Sequence, residues 1–286
     1  MKEFLNGYSF SNEIRMLRSV FKGTILLVEG DSDARVYKRF VEKPNCEVKP
    51  GHSKINVLDA LKLLESAKIE GILAIVDADY WRIEGKEIAS GNLFLTDSHD
   101  LETMILNHPE ILEKIISEYG SDNRVERLPG KIVDMILTSA LPIGVLRWVA
   151  TNSMNDLKLI LRDLLFEKFI TLTTLKINLK KLVEEVLAIS KIDDPEIVES
   201  LVKKVKTILK ENHDPWQICS GHDLSNLLMI GFVHVFGNKT AKTLTVESME
   251  KTVRLSYGLE HFRTTHLYAS IQKWEISHQG YIVWKQ

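Results

Sequence analysis

Glu29, Asp31 and Asp33, then Asp77 and Asp79, then Asp97, Asp100 and Glu102 form three short acidic motifs in the first third of the 286-residue chain. Carboxylates offer hard oxygen ligands and, with a tuned pKa, acid or base chemistry. Two ionised carboxylates ~4 Å apart repel by ~4 kcal/mol at an effective dielectric of ~20. A cluster of them therefore needs bound protons or a divalent cation. Lys54, close to Gly51-His52, could add positive charge for a phosphate, as could Arg82 and Lys86. A helix opening at Ser53 would add backbone amide donors. For Arg82 and Lys86, solvated surface charge explains the residues equally well.

Each motif also has a plain structural reading. Asp31 and Asp33 suit the first turn of any helix, where the macrodipole favours negative charge. That account is weak for Glu29, which ends a strand and precedes a turn-forming Gly30. Asp77-Ala78-Asp79 alone reads as a turn. If the extended backbone continued, its two carboxylates would point the same way. Thr96-Asp97-Ser98-His99-Asp100-Leu101-Glu102 is rich in turn and capping residues. Asp100 and Glu102 are better candidates there than Asp97, and a lone His99 is more often structural. Cys219-Ser220-Gly221-His222 lacks the second ligand pair of a zinc site. His261 and His266 lack the helical spacing of a zinc protease. Gly221-His222-Asp223-Leu224 reads as a turn into a helix, with polar residues able to reach a cleft.

The elements that must position these residues follow from apolar patterning. Thr24–Val28, Ile72–Val76 and Leu93–Thr96 are continuous apolar runs, the pattern of buried parallel strands. Asn45–Val48 is a shorter strand. Between them, Asp31 or Ser32 caps a helix to about Glu42, with Ala34, Val36, Tyr37, Phe40 and Val41 apolar. Gly51-His52-Ser53 opens a helix with an apolar face of Ile55, Leu58, Leu61, Leu64 and Ala67, and Gly71 follows its end. The order argues an α/β unit with right-handed crossovers, whose ligands collect beyond the carboxyl ends of the strands. From Pro109 the pattern becomes helix after helix. Asn178 to about Ile189 and Asp194-Pro195 to about Glu211 form an αα-hairpin. Asp214-Pro215-Trp216 breaks it, and Asp223–Phe236 is buried. Gly280–Trp284 is a short strand or extended tail. The expected domains are residues 1–110 and 111–286.

Composition adds bounds. Hydrophobic content of 44%, charged content of 27% and a net charge of −2 describe an ordinary globular chain. Nucleic-acid binding would need a local patch. Two distant cysteines, Cys46 and Cys219, give no disulfide framework and favour a reducing cytoplasm. Met1–Asn6 lacks the apolar core of a signal peptide. Ile132–Ala150 contains Asp134, Pro142, Gly144 and Arg147, so it reads as a buried helix with a break, and no membrane is expected.

Glu29-Gly30-Asp31-Ser32-Asp33, Val76-Asp77-Ala78-Asp79 and Asp100-Leu101-Glu102 together resemble the Toprim domain of topoisomerases, primases and OLD nucleases. Residues 20–107 carry the likeness. Length and helical C-terminal half make the chain most similar to the stand-alone Toprim effectors of PARIS anti-phage systems, the AriB type. The resemblance implies a Toprim-like α/β domain followed by a mostly α-helical region. It implies Glu29 as the essential acid, Asp77 and Asp79 holding Mg²⁺ (or Mn²⁺), and Asp33 and Glu102 completing the site. It also implies an ABC-type ATPase partner and RNA cleavage, with tRNA the target. A homo-oligomer is left open.

A response-regulator receiver domain is the rival resemblance, carried by Ile25–Arg35 and by Asp77 near the phosphoacceptor spacing. Gly30 replaces one of its paired acids. Ala78-Asp79-Tyr80-Trp81 stands where Met-Pro is expected. Thr96 arrives too early for a helix before the fourth strand. The expected activity is a magnesium-dependent endonuclease. Glu29 acts as metal ligand or general base, and Lys54 stabilises transition-state charge. A DNA-nicking nuclease and a non-catalytic, metal-sensing binding module are the alternatives.

Overall fold

The computed structural model describes residues 6–152 and 158–285. The reading of Met1–Leu5 lies outside them. In order come α1 (Gly7–Val20), β1 (Thr24–Val28), α2 (Asp31–Tyr37), β2 (Cys46–Pro50), α3 (Lys54–Ser66), β3 (Ile72–Val76) and β4 (Leu93–Leu95). The helices α4 (Leu101–Leu106), α5 (Pro109–Tyr119), α6 (Asp122–Val125) and α7 (Ile132–Asn152) follow. A small hairpin, β5 (Ile170–Thr171) and β6 (Lys176–Ile177), precedes α8 (Leu179–Ile189) and α9 (Pro195–Ile208). The chain ends with α10 (Pro215–Ile218), α11 (Gly221–Gly231), α12 (Val246–Ser256), α13 (Leu259–Phe262) and α14 (His266–Ser277).

These elements form two compact units. The first holds the chain through Ala78, Gly85–Leu101 and the chain from Tyr257. The second holds Asp79–Glu84 and Glu102–Ser256. The change of pattern near residue 110 thus falls inside the second unit, and the first unit regains the chain at Tyr257.

The first unit is built on a four-stranded sheet of order β2-β1-β3-β4. All three strand pairings are parallel. β1 and β3 are buried at every position, as continuous aliphatic runs require when both sheet faces are covered. α2 is shorter than expected: it ends at Tyr37, with turns carrying Phe40 and Val41 into the core. Ser53 caps α3 by accepting from the Asn56 amide. α3 buries Val57, Ala60, Leu61 and Leu64, whereas Ile55 and Ala67 are exposed. The face is rotated because α3 also packs on α1, a helix the motif reading did not anticipate. Asn6 and Ser9 cap α1 reciprocally, at 2.9 and 3.0 Å. Gly7 lets α1 lie close: a Cβ there would sit 2.3 Å from the Cβ of Asp59.

No α-helix lies between β3 and β4, although the pairing is parallel. The link is turns and irregular chain, as the early position of Thr96 required. The last segment is an extended tail with a single antiparallel bridge, Val41 to Trp284. It is held by aromatic packing of Trp284 against Tyr37, Phe262 and Tyr268.

In the second unit, α8, α9, α10 and α11 pack on α7. α7 runs unbroken through Pro142. Gly144 marks close approach rather than a break: a Cβ there would lie 2.4 Å from the Ile218 carbonyl oxygen of α10. α7 is long and apolar enough to cross a bilayer by length and composition, but half of that stretch is buried in the protein. Its Arg147 makes a paired bond to Asp223 of α11, at 2.7 and 2.8 Å. α8 and α9 form the expected αα-hairpin, capped by Asn178 and Asp194.

Candidate functional site

Glu29 and Gly30 follow β1, and Asp77 follows β3, its hydrogen-bonded neighbour. Two adjacent parallel strands therefore deliver an acid each to the same sheet edge. The two are linked directly: Glu29 Oε1 accepts from the Asp77 backbone amide at 2.8 Å. Lys54, in the first turn of α3, donates from Nζ to the Asp77 carbonyl oxygen at 2.5 Å. Asp77 Oδ1 accepts from the Leu101 amide at 3.2 Å. Asp33 Oδ2 accepts from the Gly30 amide at 2.8 Å, closing the turn that carries Glu29. Glu29, Asp33, Lys54 and Asp77 of the first unit are thus joined through the turns after β1 and β3. All four are half-buried.

Their negative charge is felt below them. Burial pushes the Tyr37 phenol well above its ordinary pKa, and Asp33, Asp77 and Asp97 push it further. Buried Thr96 stiffens the β3 turn: its Oγ1 accepts from the Ala78 amide and donates to the Ser98 carbonyl, at 2.9 and 2.8 Å.

Asp79 departs from the expected extended course. Its φ is +45°, in the left-handed region that Asp tolerates better than most residues. The strand alternation that would have aimed Asp77 and Asp79 alike stops at Val76. Beyond Asp79, the Tyr80 hydroxyl donates to the Gly144 carbonyl at 3.3 Å, and Trp148 Nε1 donates to Glu84 at 2.9 Å. These bonds hold Asp79–Glu84 in the second unit. Burial raises the Tyr80 pKa, Arg147 lowers it, and Asp223 and Asp79 raise it further.

Two further acids have structural partners. Asp97 caps α14, accepting from the His266 and Leu267 amides at 2.6 and 2.9 Å. Glu102, at the start of α4, pairs with Arg254 of α12 at 2.5 Å. Arg254 reaches Glu250 at 3.7 Å, and Glu250 Oε1 accepts from His222 Nδ1 at 2.7 Å. That hydrogen bond is the main reason the His222 pKa is raised and the Glu250 pKa lowered. The Gly221-His222-Asp223 motif opens α11 behind a Ser220 cap. Its Asp223 is fully buried against Arg147. Arg82 and Lys86 are exposed, His99 is buried, and Asp31 is exposed in the first turn of α2. Cys46 and Cys219 are free and buried.

Among the described residues no three His, Cys, Asp or Glu side chains form a ready metal-ligating group. The donor chemistry still fits Mg²⁺. That ion keeps several waters and takes one or two carboxylates plus substrate phosphates, not an all-protein cage. Glu29 and Asp77 on neighbouring strand ends are the pair that would hold it.

The motif reading named Thr96 and Arg147 without their bonding partners and did not name Arg254. Thr96 sat in view among turn formers. The two arginines gave no local signal, since their partners are distant in sequence. No protein-family model matches the chain, and no curated protein matches it.

Proposed function

We propose that this chain is a metal-dependent endonuclease of the Toprim type. The single observation that carries the reading is the junction at the carboxyl ends of β1 and β3. There Glu29 accepts from the Asp77 amide while Lys54 grips the Asp77 carbonyl. The helix-free link from β3 to β4 further favours this reading over a receiver domain.

Glu29 and Asp77 would bind the cation, with Asp33 of the same unit as a further acidic candidate. When bound, Mg²⁺ or Mn²⁺ would supply charge neutralisation at a scissile phosphate. The chain's own residues do the rest. Glu29, fixed by the Asp77 amide, is oriented to bind the cation or to accept a proton from water or a ribose hydroxyl. Asp33 braces the Gly30 turn that aims Glu29. Lys54 locks the Asp77 turn and places a cation near developing negative charge. The reading extends, by family likeness, to a cytoplasmic anti-phage effector. It would cleave RNA such as tRNA and be held by an ABC-type ATPase.

The test is incubation of the purified protein with total RNA and plasmid DNA, in Mg²⁺ or Mn²⁺ and in EDTA, beside Glu29→Ala. Metal-dependent RNA fragments absent from a folded Glu29→Ala support the proposal. Cleavage that survives in that variant overturns the site. Nicking of plasmid with RNA intact moves the substrate to DNA.

A further inference from the structure

The α8–α9 hairpin carries charge that the acidic site does not explain. Lys176, Lys180 and Lys181 lie in residues 176–183, and Lys203, Lys204, Lys206 and Lys210 lie in residues 200–210; neither stretch holds an Asp or Glu. The acids Glu184, Glu185, Asp193, Asp194, Glu196 and Glu199 occupy the intervening chain around the turn. The helices are joined by only Ser190–Asp194, so they run antiparallel. The start of α8 and the end of α9 then lie together, and seven lysines gather at the open end of the hairpin. This happens in a chain of net charge −2.

Six of the seven lysines are exposed and Lys204 is half-buried. Lys180 has a loose pair with Glu184 at 3.9 Å; the other six form no ion pair among the described residues. Helix dipoles explain only part of this. Lysines at the C-terminal end of α9 are favourable, whereas Lys180 and Lys181 stand at the positive end of α8, which has no acid in its first turn. Glu211 follows Lys210 directly but meets His213 at 2.8 Å, so each end still carries an excess of like charge.

We infer that the open end of the α8–α9 hairpin is a binding surface for a nucleic-acid phosphate backbone. A row of exposed lysines without interleaved aromatic side chains reads phosphate, not bases. A membrane surface fits less well. An interfacial helix inserts its apolar face, and here Leu182, Val183, Val186, Leu201 and Val205 are buried in the protein. The inference deepens the nuclease reading by locating substrate binding, and rests on it for the choice of nucleic acid.

The probe is a fluorescein-labelled RNA hairpin, with a DNA duplex and anionic phosphatidylserine vesicles in parallel. Binding is measured by anisotropy in EDTA, where cleavage cannot intervene, on the full chain. With about four phosphate contacts, log affinity should fall against log salt with a slope of about −2.8 to −3.6, or about 50- to 150-fold between 50 and 200 mM. Lys203→Gln/Lys206→Gln/Lys210→Gln should flatten that slope by about 2 to 3 and lose at least about tenfold affinity at low salt. The charge-matched Lys22→Gln/Lys38→Gln/Lys62→Gln should bind as the parent does. Salt-dependent binding by a parent chain that cleaves neither RNA nor DNA once Mg²⁺ or Mn²⁺ is restored would count against the nuclease reading and leave this surface standing. Equal binding by the hairpin variant, no nucleic-acid binding by the parent, or binding to vesicles alone would overturn the inference.

Discussion

Replacing Arg147 by Met tests what holds the second unit together. Arg147 Nε and Nη2 donate to the two Asp223 oxygens at 2.7 and 2.8 Å, and Nη1 donates to the Leu161 carbonyl at 2.7 Å. Asp223 is 0% exposed. Burial alone pulls the Arg147 pKa down, but the Asp223 carboxylate outweighs it and the net shift is upward. Arg147 therefore stays charged, and methionine keeps most of its stem while removing that charge. The carboxylate is then left buried without its counter-ion, which costs about 3–5 kcal/mol. At about 2–4 °C per kcal/mol for a chain of this class, Tm should fall by about 6–20 °C. Thermal unfolding followed by circular dichroism reads this directly. Arg147→Met/Asp223→Leu removes the stranded charge as well and should recover most of the loss. If the single variant loses less than about 1 kcal/mol, or the double variant is no better than the single, the pair does not organise this core.

Lys54→Met should fold normally and cleave about 100-fold more slowly, since a positioned cation near developing charge is removed; an unchanged single-turnover rate would take Lys54 out of the site. Asp97→Ala strips two backbone bonds from the start of α14 and should cost about 1–2 kcal/mol, read as a lower denaturant midpoint with no change in slope. The His222–Glu250 bond has a sign-definite pH signature. The raised His222 pKa contributes stability fully below its ordinary value of 6.5, lost as pH rises through the folded value. The lowered Glu250 pKa contributes above its ordinary 4.5, lost as pH falls through the folded value. The Tm gap between parent and His222→Gln should therefore be widest between those two ordinary values and shrink on the alkaline side. A gap that widens with rising pH would contradict the assigned pair.

The amino-acid sequence alone determined the strands that carry the site and the acids at their ends. β1 and β3 are continuous aliphatic runs because a parallel sheet covered on both faces demands apolar residues at every position. Ser53, Asn178 and Asp194 were legible as caps because capping is a contact over two or three residues. The hairpin of α8 and α9 was legible for the same local reason. Contacts distant in sequence were not. Asp97 meets the α14 amides across 169 and 170 residues, and Glu102 meets Arg254 across 152. Nothing near Asp97 distinguishes a distant helix cap from a turn acid. Asp79 broke the strand alternation through one backbone angle, set where Tyr80 and Glu84 bond to α7. The return of the chain from Tyr257 to the first unit rests on Tyr37 and Phe40 packing against Phe262 and Trp284, and no local pattern encodes which rings will meet. Local chemistry wrote the strands, caps and acids; only tertiary packing decided which acids brace the fold and which remain at the sheet edge.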